Sequence, residues 1–150
     1  MPHELTWEPK GVHTRFSGNC TIADVVGALG RIGGDPRLDD LRYAVFDYLA
    51  VASHDVEESQ VEEAAAHDIG IALTNPRLVF ASVTTDPQIV AIWRHFRSVS
   101  PSPERLALFA TLDEARARAT GRAGFRANPE EQHFYTFTFS LPAKSLPLRI

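Results

Sequence analysis

The chain has 150 residues, 44% hydrophobic and 23% charged, and its 15 Lys and Arg against 19 Asp and Glu leave a net charge of −4 with His neutral. That length suits one domain with a buried core, and the balance of apolar and charged residues excludes wholesale disorder. The mild acidity speaks against binding nucleic acid through its phosphates, no apolar run reaches the ~20 residues of a membrane span, and a single cysteine, Cys20, excludes an intrachain disulfide.

The opening stretch MPHELTWEPK has no apolar segment behind a basic start, so no secretory leader is expected, and the lone cysteine points to a reducing, cytoplasmic location. No 20-to-50-residue period repeats, and no Pro/Gly/Ser linker divides the first 119 residues. Residues 1–119 therefore read as one domain and 120–150 as a C-terminal extension.

HELTWE (3–8) and GVHTRFSG (11–18) are short β-type runs joined through Pro9, Lys10 and Gly11, which predicts a hairpin. Thr21 and Asp24 are spaced as a capping box, and Ile22, Val25, Val26 and Leu29 follow on one helical face until Gly33, Gly34 and Pro36 end it. LRYAVFDYL (41–49) is nearly continuous in apolar and aromatic residues, as a strand covered on both faces would be. Asp55 and Glu58 predict the cap of a helix running to about Thr74, with Val61, Ala65, Ile69 and Ala72 inward and Asn75–Pro76 as its stop.

RLVFASVTT (77–85) is a second buried strand, and Asp86 before Pro87 predicts an N-cap with proline at the first helical position. Ile89, Ile92, Trp93 and Phe96 form the clearest amphipathic stripe in the chain. RLALFAT (105–111) is a third buried strand, and Thr111 with Glu114 caps the helix LDEARARAT. Arg116, Arg118, Arg122 and Arg126 cluster around its end, where cations complement the helix dipole. The alternation predicts an α/β fold: a mixed, mainly parallel sheet flanked by helices, with an N-terminal antiparallel hairpin. In the extension, HFYTFTFSL (133–141) alternates like one more strand, which would pair with a sheet edge or with a second copy in a homodimer.

In an open α/β sheet the place for a site is beyond the carboxyl ends of the strands. Asp47, Ser53, His54 and Asp55 lie there after the first buried strand, and Thr84 and Asp86 after the second. Asp55, Asp86 and Thr111 are also what helix caps require. Asp47 is the most informative polar residue, since a carboxylate in a buried strand must be hydrogen-bonded or reach water. It either meets a partner at the sheet's end or accepts N–H groups from the following turn. Glu63 and His67 share a helical face but have no third ligand, and no nucleophile, phosphate-loop or paired-cysteine motif occurs, so no metal or cofactor is expected.

The order of elements over residues 3–119 resembles the STAS family, the SpoIIAA-like anti-sigma-factor antagonists and transporter-linked modules. FSGNCTIADVVGAL, LRYAVFDYL and LFATLDEARA are similar to that family's second strand and first helix, its central strand, and its last strand and helix. The resemblance implies a cytoplasmic regulatory module with a protein partner. A Ser or Thr phosphorylated at the start of the second helix would correspond to Ser53, although SHD here replaces the family's Asp-Ser-Ser/Thr-Gly type of signature.

Proteins of this general kind are also similar to lipid-carrier domains with an apolar groove between helix and sheet, which Ile89, Trp93 and Phe96 could line. Three functional expectations follow: a non-catalytic interaction module with its partner surface at 47–55, a carrier or sensor of a small apolar ligand, and, third, a small enzyme using Asp47, Ser53 and His54.

Overall fold

Strands β1 (His3–Glu8) and β2 (Gly11–Cys20) form the expected antiparallel hairpin across Pro9 and Lys10. They open a computed structural model that describes residues 3–121. Gly11 is fixed by close approach, because a Cβ there would collide with the ring of Tyr43 on the next strand. Thr21 then caps helix α1 (Ile22–Gly33): its hydroxyl accepts from the Asp24 N–H at 3.2 Å, and the Asp24 carboxylate accepts from the Thr21 N–H at 2.8 Å.

The chain continues through β3 (Tyr43–His54), α2 (Glu58–Thr74), β4 (Val79–Val83), α3 (Pro87–Val99), β5 (Leu106–Phe109) and α4 (Leu112–Thr120). The sheet order is β1-β2-β3-β4-β5, antiparallel at the first pair and parallel at the rest. The fold is thus the α/β arrangement expected, with helices over a mixed, mainly parallel sheet. Sequential strands joined by right-handed crossovers place α1, α2 and α3 on one face, where α2 packs between the other two. Helix α4 covers β3, β4 and β5 from the opposite face.

Strand alternation divides the core accordingly. Val12, Phe16, Ala44, Phe46 and Phe80 lie under the three crossover helices, while Tyr43, Val45, Ala81, Val83 and Phe109 lie under α4.

Three expectations are corrected. Strand β3 does not end near residue 49 but runs to His54, because β2 pairs with it as far as Cys20↔His54. Ten residues of β2 face twelve of β3, and register shifts beside Ser17 and Asn19 absorb the difference. Helix α2 consequently starts at Glu58 with Glu57, not Asp55, as its N-cap; the Gln60 side chain accepts from the Glu57 N–H at 2.8 Å.

The buried face of α2 is Val61, Ala64, Ala65, Asp68 and Ile71, whereas Ile69 is 41% exposed and Ala72 is half-buried. Asp68 is drawn inward by Arg105, whose guanidinium reaches both carboxylate oxygens at 3.3 and 3.2 Å and also donates to the Leu78 carbonyl at 2.8 Å. Burial pushes the Asp68 carboxyl above the usual range, against the pull of Arg105. Residues 133–141, expected as a strand, lie outside the described residues.

Candidate functional site

The strand ends do collect polar residues, but the two faces of the sheet use them differently. On the α4 face Asp47 is buried and fully engaged. Its Oδ2 accepts from His13 Nε2 at 3.1 Å and its Oδ1 from the Leu49 N–H at 3.0 Å. Arg116 of α4 donates to His13 Nδ1 at 3.3 Å and grips Glu8 with two hydrogen bonds of 3.0 and 2.6 Å; Tyr43 donates to the same Glu8 at 2.6 Å.

Burial pushes the Asp47 carboxyl up, yet His13, the Leu49 N–H and Arg15 outweigh it and hold the group below the usual range. Burial, then Glu8, pushes the Tyr43 phenol up to about 12, so it stays a hydrogen-bond donor. The chain Asp47–His13–Arg116–Glu8–Tyr43 therefore ties β1, β2, β3 and α4 together, with each of these contacts already made inside the protein. Arg116, read from sequence as a dipole partner, is its hub.

The remaining rim residues divide in the same way. Asp86 accepts from the Gln88 N–H at 2.9 Å as the α3 cap, and buried Thr84 accepts from the Asp86 N–H at 3.1 Å. Ser53 is exposed within β3 and donates to the Asn19 side chain at 2.8 Å. Asp55 is exposed and continues the ladder, its N–H reaching the Cys20 carbonyl at 3.4 Å. Because α2 begins at Glu58, Ser53 is not at a helix start, and a phosphate there would be five residues short of the free N–H groups at that terminus.

His54 differs from all of these. The first register shift in β3 turns its alternation over and the second restores it, so His54 comes to lie beside Cys20 on the face under α1–α3. Both of its ring nitrogens are buried there without a hydrogen-bond partner among the described residues. The imidazole forms part of the wall of a partly open, strongly apolar cavity of about 90 Å³ between the three helices and the sheet.

Phe46, Tyr48, Phe80, Ser82 and Leu106 make its floor. Ile22, Val25 and Leu29 of α1 with Val61 and Ala64 of α2 make one side, and Ile89, Ile92, Trp93 and Phe96 of α3 the other. The amphipathic stripe of α3 thus faces the sheet as its spacing requires, but only Ile89 of the four is buried. Ile92, Trp93 and Phe96 keep partial exposure because α3 stands over a cavity and not over packed side chains.

Few polar groups enter this wall. Cys20 is buried, and burial, then the nearby charges of Asp24 and Asp55, pushes its thiol up to about 12. It is a protonated, unreactive thiol at neutral pH. Burial likewise pushes the Tyr48 phenol upward, and the ring stacks on Phe16 at 4.7 Å between centroids. Ser82 is 6% exposed.

Glu63 and His67 are both exposed, and among the described residues no group of three or more His, Cys, Asp or Glu side chains is placed to hold a metal ion. No helix among them is long and apolar enough to cross a membrane. Neither a protein-family model nor a curated protein matches the chain.

Two features of this site were out of reach of the sequence. The bulges that bring His54 to the cavity leave no pattern signal, and Tyr48 and Ser82 are ordinary strand residues until α3 is placed above them.

Proposed function

We propose that the protein is a small α/β binding module, of STAS-like type, that carries or senses a small apolar molecule held between its crossover helices and its sheet. The observation that supports this reading is the cavity walled by Phe46, Phe80, Ile92, Trp93 and Phe96, with an imidazole among them that has no partner among the described residues. Natural cores fill such space, since an apolar void forfeits dispersion contacts on every wall. A surface of this kind gains most from an apolar guest. Cavities of roughly 150 Å³ take up benzene, so an aromatic guest of that size extends through the open side of this smaller cavity.

The test is binding of toluene to the full chain, followed by the indole N–H signal of Trp93 in NMR spectra, with native mass spectrometry of protein purified from cells for a retained molecule. The expected result is a saturable shift of the Trp93 signal that is lost in Ser82→Leu, which fills the floor. Absence of both a shift and a retained mass would reject the reading.

A partner surface at the rim is the second reading, favoured by the 47% exposure of Leu49 and by the exposed Ser53 further along the same strand. It carries the regulatory role that the STAS resemblance implies. Loss of a captured partner on Ser53→Glu, with toluene binding intact, would support it over the first.

A further inference from the structure

The polar chemistry of the cavity narrows its guest further. Resting on the cavity reading above, we propose that the site selects neutral, hydroxyl-bearing small molecules, such as short alcohols, over both the bare hydrocarbon and the carboxylate, with His54 as the contact for the hydroxyl.

Three observations converge on this. First, both His54 ring nitrogens are buried and have no hydrogen-bond partner among the described residues. A neutral imidazole presents one donor and one acceptor, and a hydroxyl can serve as either, so an alcohol satisfies whichever nitrogen it meets; a hydrocarbon leaves both unpaired. Second, among the described residues no Lys or Arg belongs to the cavity wall, so a carboxylate would enter without a cationic partner from it and would lose its hydration.

Third, this end of the cavity is already negative. Asp55 follows His54 directly, and the charges of Asp24 and Asp55 both act on Cys20, the strand neighbour of His54. Asp24 is held there by its bonds to Thr21. A carboxylate guest would approach two fixed charges of its own sign.

The experiment compares 1-pentanol, pentanoate and pentane on the full chain by NMR titration at about pH 8, above the ordinary imidazole range. Pentanol is expected to bind about tenfold more tightly than either pentane or pentanoate, a difference well resolved by such titrations. His54→Phe should bind pentane and pentanol alike, whereas His54→Gln, which keeps a donor and an acceptor, should retain the preference. Asp55→Asn should improve pentanoate binding alone.

Pentanoate binding as tightly as pentanol, or a hydroxyl preference undiminished in His54→Phe, would overturn the inference while leaving an apolar cavity in place. Failure of all three compounds, pentane included, would instead remove the cavity reading and this inference with it.

Discussion

Among the described residues Asp68 and Asp47 are the buried carboxylates, and each is matched by a basic side chain distant in sequence, Arg105 just before β5 and His13 on β2. Asp68 is 0% exposed and Arg105 6%. Removing one member of such a pair leaves an uncompensated charge in the core, which costs about 3–5 kcal/mol, whereas replacing both with apolar residues of similar size is often neutral. Asp68→Ala is therefore expected to lower the unfolding free energy by about that amount in urea titrations, and Asp68→Leu combined with Arg105→Met to recover most of it. A small effect of Asp68→Ala would mean that water reaches Arg105 there. The burial of Asp68 had no signal in the sequence, since an acid directly after His67 reads as solvent-facing.

Helix starts were legible wherever the cap and the first turn are close in sequence. Thr21 with Asp24, Asp86 with Pro87, and Thr111 with Glu114 all form as their spacing predicts. The exception is α2, where Asp55 carries the better local signal yet remains part of the ladder beside Cys20, leaving Glu57 to take the cap. Strand pairing outweighed the local preference. Asp86 is then a cap by geometry, and Asp86→Ala should cost about 1 kcal/mol in equilibrium unfolding while Asp86→Asn costs little. Since α3 forms one wall of the cavity, hydrogen exchange at its first turn should rise in Asp86→Ala, and an unaffected α3 would show that packing alone holds it.

The acid response of the whole molecule follows from its carboxylates. Glu8 lies below the usual range, first because of its hydrogen bond to Arg116 and despite burial, and Asp47 is lowered as well. A folded-state pKa below the unfolded one means that the native protein binds fewer protons. The stability these two groups supply is present above the ordinary carboxylate range and is lost as pH falls through their lowered values. Asp68, raised by burial, acts in the opposite sense: what it contributes is present below the ordinary range and declines as pH rises through its raised value. Asp35 is lowered too, first by its hydrogen bond to the Arg37 side chain. With three groups against one, the urea midpoint is expected to drop between about pH 5 and pH 3, and Glu8→Gln should start lower and fall less steeply. An equal slope in that variant would remove Glu8 from the account.

Periodicity and turn chemistry were enough to establish the hairpin, the four helices, the parallel core strands and the α/β class, because each depends on residues within a turn or two of one another. The buried partners of Asp47 and Asp68, the reach of β3 and the position of His54 depend on which strands become neighbours and in what register. Residues 34 to 37 apart in sequence meet there. That information is distributed over the whole sheet and becomes specific only once the chain has closed on itself. The cavity belongs to the same class, since an empty volume is a property of helices held apart from a sheet and of no segment alone.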